Sequence, residues 1–214
     1  NRLYADLLRI TGGLERIRYY NRRTAEEADH PFPDHLIRQV YASKMAFYTA
    51  FLAGGLVKLR PGVGRLLQEL TAKDISICIA TATSRRNIDA LLTTQLADLG
   101  INWMAIVAGD DVNKKKPAPD VYKKVLSRTG LGPEQCLALE DSESGVAAAV
   151  AAGITTVALQ NSYTVNHDLS GAAIILSGLE NPENPGKETA GAAVTAGNLS
   201  DWHRRYTIMN QNFK

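Results

Sequence analysis

The sequence predicts an α/β fold: a doubly wound parallel sheet preceded by a small helical unit. Three observations predict it. From residue 59 onward, short apolar runs alternate with stretches of about ten residues whose apolar positions recur at helical spacing. Three of those runs give way to polar or charged residues, at Thr81, at Gly109 to Asp120 and at Glu140-Asp141. Residues 1 to about 56, by contrast, contain no convincing strand.

Taken in order, Tyr4, Leu7 and Leu8 form an apolar stripe that Gly12-Gly13 interrupts, and a second helix resumes through Glu15, Arg16, Ile17 and Tyr20. Residues 24 to 33 read as a polar break ending in His30-Pro31-Phe32-Pro33. A longer helix carries Leu36, Val40, Met45, Tyr48, Phe51 and Leu52 and stops at Gly54-Gly55. After Leu59-Arg60-Pro61-Gly62 come a helix at 64–73, a buried strand at 75–80 and a helix at 87–96 with Ile88, Leu91, Leu92 and Leu96 on one face. A strand at 104–108, a helix at 119–129, a strand at 136–139, an Ala-rich helix and a strand at 155–159 follow, with a further short strand at 173–176. Apolar strands separated by helices imply parallel pairing through right-handed crossovers. Glu180 to Asn198, rich in Gly, Pro, Asn and Ala, reads as a loose loop, and Trp202 and Tyr206 dock the tail as a final helical turn. The boundaries are therefore a helical unit at 1–56, an α/β core at 57–179, a loop at 180–198 and a tail at 199–214.

Bulk properties narrow the function. A hydrophobic content of 45% in 214 residues supports a proper core. The balance of 24 basic and 22 acidic residues gives no electrostatic reason to invoke nucleic acid or an anionic membrane. Cys78 and Cys136, both in apolar runs and in no metal or redox spacing, read as buried free thiols, consistent with a reducing cytosol. The longest uncharged stretch, 144–166, is rich in Ala, Gly and Thr and contains Gly153, Gln160 and Asn161, unlike the ~20 strongly apolar residues of a span. A cytoplasmic monomer is the expectation.

The chemistry gathers at the ends of the strands. Glu140 and Asp141 close an apolar run and open a small-residue helix; carboxylates there suit a hard cation beside a phosphate, or simply favour the helix dipole. Hydroxyls and amides from Thr81 to Ser84 can hold a phosphate oxygen, or cap the following helix. Lys116, just ahead of Pro117, can neutralise a carboxylate and a phosphate together, whereas Lys114 and Lys115 read as solvated. A hydroxyl, a lysine and a carboxylate pair after successive parallel strands is a set that one phosphoryl group and one Mg²⁺ require, because charge neutralisation and positioning make up most of phosphoryl-transfer catalysis.

In these motifs the sequence resembles the haloacid dehalogenase (HAD) superfamily of phosphohydrolases, a Rossmann-like core with a helical cap. Thr81, Lys116 in Lys-Lys-Pro-Ala-Pro-Asp, and Glu140-Asp141-Ser-Glu-Ser-Gly resemble its second, third and fourth motifs. The subgroup it looks like is the CbbY-like sugar-phosphate phosphatases, near β-phosphoglucomutase, through Thr11-Gly12-Gly13-Leu14-Glu15-Arg16-Ile17, Leu59-Arg60-Pro61-Gly62-Val63 and the 81–87 loop. The resemblance implies a Mg²⁺-dependent phosphatase of a small phosphorylated sugar, xylulose 1,5-bisphosphate among the family's substrates. It implies Thr81 and Lys116 as catalytic phosphate-binding residues, and Asp141 with Glu140 at the metal, Glu140 from behind or by way of water. Gly12, Gly13, Glu15, Arg16 and Lys44, together with Thr83, Ser84 and Asn87, it implies for the substrate; Arg16 as a bidentate fork and Lys44 as a point charge suit a second phosphate.

Three departures stand out. Leu14 and Tyr41 replace the family's common Lys and His. The first motif, a strand ending Asp-x-Asp-Gly that supplies an aspartyl-phosphate nucleophile and the general acid and base, is absent from the sequence. Adjacent Asp110 and Asp111 diverge on an extended backbone and cannot replace it. Since residue 1 is Asn, the expectation is that upstream residues including the central strand are missing and that this chain alone is inactive. A phosphomutase of the same fold and a nucleophile-less sugar-phosphate binding module remain open.

Overall fold

The computed structural model describes residues 7–28, 31–180 and 193–211. Two helices come first, α1 (Gly13–Ala28) and α2 (Asp34–Ala53). Helix α1 runs through part of the expected 24–33 break: Thr24 satisfies its hydroxyl on the carbonyls of Tyr20 and Asn21, so a polar residue there does not stop the helix. His30 lies outside the described residues. Asn21 clamps the turn between the helices, donating to Phe32 O at 3.1 Å and accepting from Phe32 N at 2.9 Å. Asp34 then opens α2 while receiving Arg18 from α1 and Arg38 from its own helix.

The alternating part follows as α3 (Val63–Ala72), β1 (Ile77–Ala80), α4 (Arg85–Thr94), β2 (Trp103–Val107), α5 (Asp120–Thr129), β3 (Leu137–Glu140), α6 (Glu143–Ala151), β4 (Thr155–Leu159), β5 (Ile174–Leu176) and α7 (Ala196–Gln211). Each expected strand forms, shifted by no more than two residues. All pairing is parallel, but it divides into two sheets. Strand β1 pairs with β2, Ala80 opposite Val107, and β3 pairs with β4, Glu140 opposite Ala158, with β5 outside β4. Among the described residues β1 and β3 are not paired to each other, so each has a ladder on one side only.

Side-chain alternation nevertheless shows that the two sheets share their layers. Ile77 of β1 and Leu137 of β3 both pack on a cluster built from Leu66 and Leu70 of α3, Val157, Ile174, Leu176, Leu199 and Trp202. Cys78 and Ala80, one position on, turn with Ala138 to the opposite cluster of Val107, Val121, Tyr122, Val125, Ala148 and Ala149. Helices thus cover both faces, as a doubly wound sheet requires. Along the open edge burial is incomplete: every residue of the apolar strand β1 is only half-buried, and Leu139 is 37% exposed.

Two expectations change. The tail is a sixteen-residue helix, α7, instead of a final turn, because Leu199 and Trp202 both insert into the first cluster. It also begins inside the expected 180–198 loop, of which 181–192 lies outside the described residues. Cys78 and Cys136 are free but half-buried, since both border the open edge; burial holds both thiols above their ordinary pKa.

Candidate active site

The strand ends meet through Lys116. Its ammonium donates to Ala80 O at the end of β1, at 3.0 Å, and to Glu140 Oε1 at the end of β3, at 2.5 Å. Both Lys116 and Glu140 are 8% exposed, so the pair is withdrawn from water and each charge depends on the other. An ammonium has three donors, and these contacts use two. Ala80 is followed by Thr81, so the ammonium is anchored at the strand end where the 81–87 loop begins.

Glu140 is held through one oxygen and closely packed at the other. Its Oε1 accepts from Lys116 and also from the hydroxyl of Tyr122, a buried residue of α5 whose ring centroid lies 5.0 Å from the Lys116 ammonium. Burial, and then the negative charge of Glu140, hold the Tyr122 hydroxyl far above its ordinary pKa, so it stays a donor. Glu140 Oε2 faces Gly145 in α6, where a Cβ would lie 1.9 Å away; only glycine leaves room for the carboxylate. The sequence reading missed Tyr122. The available signal was its place on the Val121, Tyr122, Val125 buried face, since a tyrosine hydroxyl facing a core needs a partner.

The 81–87 loop is tied from several sides. Thr81 donates its backbone N–H to Val107 O, and its hydroxyl accepts from Thr83 N at 3.2 Å. Gly109 N donates to Thr83 O at 2.7 Å, an approach so close that a Cβ on Gly109 would sit 2.3 Å from Ala82 O. Neither Thr83 nor Ser84 caps α4 with its side chain; Asp110 does so from the neighbouring loop, accepting from Arg85 N at 3.0 Å. Asp111 accepts from Ala108 N, and that bond first of all holds its carboxyl below the usual range. Both aspartates therefore have structural partners. Asn87 is 3% exposed and links Thr83 Oγ1, at 3.0 Å, to Thr49 Oγ1 of α2, at 3.3 Å. Thr49 is a second residue missed, hidden because it lies in the helical unit far away in sequence.

The expected substrate residues near the N-terminus form a separate group. Gly12 has a φ of 95°, and Gly13 faces the Tyr41 ring and the Lys44 ammonium. Partial loss of hydration, and then nearby Arg16, hold Lys44 below the ordinary lysine pKa although the residue is exposed overall. Arg16 donates to Leu7 O and Ile10 O, bracing the turn ahead of α1. Glu15 reaches Lys115 at 3.2 Å, so Lys115 is not simply solvated: it joins the helical unit to the strand-end loop. Thr11 Oγ1 and Glu15 Oε2 are buried without a hydrogen-bond partner among the described residues.

Asp141 is exposed and makes no ion pair among the described residues. Ser142 caps α6, accepting from Gly145 N at 3.2 Å, and Glu143 turns away to Arg9 and Asp168 N. Among the described residues no three His, Cys, Asp or Glu side chains gather as a metal cage. Mg²⁺ is commonly held by one or two carboxylates with water and phosphate oxygens completing the shell, and Asp141 fits such a ligand. Glu140, with Oε1 doubly bonded and Oε2 against Gly145, fits better behind it.

The strand ends thus carry a buried lysine, a hydroxyl-bearing loop and an exposed carboxylate, and comparison with known proteins shows a hydrolase of phosphoric monoesters. The chain belongs to the haloacid dehalogenase-like hydrolase family, whose model matches residues 11–159. It is 40% identical over 188 residues, 86% of this chain and 73% of the relative, to the plasmid protein CbbY of Cupriavidus necator. It is 38% identical over 124 residues, 58% of this chain and 54% of the relative, to the phosphorylated carbohydrates phosphatase of Thermotoga maritima. The crystal structure of a point mutant of CbbY from Rhodobacter sphaeroides in complex with xylulose-(1,5)bisphosphate superposes with a TM-score of 0.68 at 33% identity, covering 82% of this chain and 76% of that one. The CbbY-like branch is where the chain falls. No described helix is long and apolar enough to cross a membrane.

Proposed function

We propose that this protein serves the hydrolysis of a small sugar phosphate, with xylulose 1,5-bisphosphate as the substrate. The observation that carries the reading is Lys116 bridging Ala80 O and Glu140 beside Thr81. With two N–H groups anchored, the third is held ready for a phosphate oxygen, and the Thr81 hydroxyl supplies a neutral donor next to it. Asp141 would hold Mg²⁺, which supplies charge neutralisation to the transferring phosphate. Glu140 keeps Lys116 in place and balances its charge.

In the family pattern the attacking carboxylate belongs to the Asp-x-Asp-Gly motif, and among the described residues no such pair faces Lys116. We therefore assign the residues of this chain to binding and charge balance. The Arg16 and Lys44 cations, close enough to depress the Lys44 pKa, suit the distal phosphate of a bisphosphate. That the R. sphaeroides relative was crystallised with xylulose bisphosphate supports the same substrate class.

A ³¹P NMR panel of sugar mono- and bisphosphates with Mg²⁺ tests this. Selective perturbation of the xylulose 1,5-bisphosphate resonances, or inorganic phosphate release from it, is the expected result. Unchanged resonances for every ester, with no phosphate released, would overturn the reading.

A further inference from the structure

We infer that Tyr122 is a positioning residue for Lys116, setting the direction of its free N–H through two contacts at once. The inference rests on the phosphate-binding role given to Lys116 above. Its structural part stands on geometry alone.

A buried lysine facing a buried carboxylate has an obvious failing as an anion receptor. The carboxylate competes for the ammonium, and rotation about the last bond of the side chain lets any of the three N–H groups turn to it. In this site Glu140 is not left to Lys116. The Tyr122 hydroxyl donates to the same Oε1, so part of that oxygen's accepting capacity is met by a neutral donor. The Tyr122 ring meanwhile lies 5.0 Å from the ammonium and offers its negative face to it. Ala80 O takes a further N–H at 3.0 Å. Carboxylate, carbonyl and ring therefore restrain the ammonium from three elements, β3, β1 and α5. Tyr122 is itself fixed: it is 7% exposed within the cluster that joins β2, α5, β3 and α6.

Hydroxyl and ring make separable contributions, which gives the test. Tyr122→Phe keeps the ring and its volume and removes only the bond to Glu140. Reductive methylation of the chain, read residue by residue by mass spectrometry, reports how freely Lys116 reaches reagent, with exposed Lys114 and Lys115 as internal references. With the hydroxyl donor gone Glu140 Oε1 is left to Lys116 alone and holds it more tightly, so Lys116 labelling should fall at least about five-fold relative to those two lysines. Circular dichroism should show the fold retained. A residue that merely fills the core would leave the labelling ratio unmoved in Tyr122→Phe, and an unchanged ratio overturns the proposal. Labelling needs no substrate, so it still decides if the sugar-phosphate reading fails.

Discussion

The strand ends around Lys116 and the α1–α2 hairpin are built on opposite principles. At the strand ends Lys116, Glu140 and Tyr122 are nearly inaccessible and each polar group meets another. In the hairpin, α2 buries only Ile37 and Leu52 among its twenty residues, leaving Val40, Phe47 and Phe51 at 51%, 66% and 49% exposed. Its ionic links, Arg18 and Arg38 to Asp34, are exposed. The difference teaches which region of the chain tolerates change. A buried charge array has one geometry, while a surface hairpin can vary its contacts without disturbing it.

The largest test of that contrast removes Lys116. Lys116→Met leaves Glu140 buried with Tyr122 alone, so the stability measured by urea unfolding should fall by about 3–5 kcal/mol. Adding Glu140→Gln should restore part of it, because an amide needs no countercharge. A loss under about 1 kcal/mol would show that the pair is not isolated from water and would collapse the contrast with the hairpin. Next in size is Gly109→Ala. The new Cβ would meet backbone, 2.3 Å from Ala82 O, so the 81–84 loop must move; about 1–3 kcal/mol of destabilisation is expected in thermal melts. Thr49→Val should cost about 1 kcal/mol by removing the bond to buried Asn87, and it is the only one of these changes made in the hairpin.

Legibility in the sequence follows the same division. Strand and helix alternation from residue 59 on was readable because each strand is a short apolar run bounded by polar ends, and every expected strand forms. Thr81, Lys116 and Glu140 were readable as types at the ends of strands, and the fold brings them to one place. What could not be read was the division of labour inside the cluster. Glu140 and Asp141 are neighbours in sequence, yet alternation along the extended chain buries one at Lys116 and exposes the other. Tyr122 and Thr49 act through contacts 18 and 38 residues away, which no local pattern encodes. The hairpin's helices were legible too, except that the first continues through Thr24 to Ala28, because polar composition alone does not end a helix.

The smallest expected effect concerns the joint between the two regions, Glu15 to Lys115 at 3.2 Å. Burial pushes the Glu15 carboxyl up, but its own backbone N–H and the Lys115 ammonium outweigh this and hold it below its ordinary value of 4.5. A carboxyl depressed in the folded state adds stability that is fully present above the unfolded value. That contribution disappears as pH falls through the lower, folded value. Both side chains are more than a third exposed, so solvent screening keeps the link to a few tenths of a kcal/mol, roughly. Amide hydrogen exchange at residues 13–16, corrected for its intrinsic pH dependence, should therefore quicken slightly below about pH 4.5. In Lys115→Ala that acid step should shrink, and raised salt should shrink it likewise in the unaltered protein. Exchange around Tyr122 should not respond to either change. If it did, the joint would be transmitting strain into the buried array, and the two regions could no longer be treated as independent.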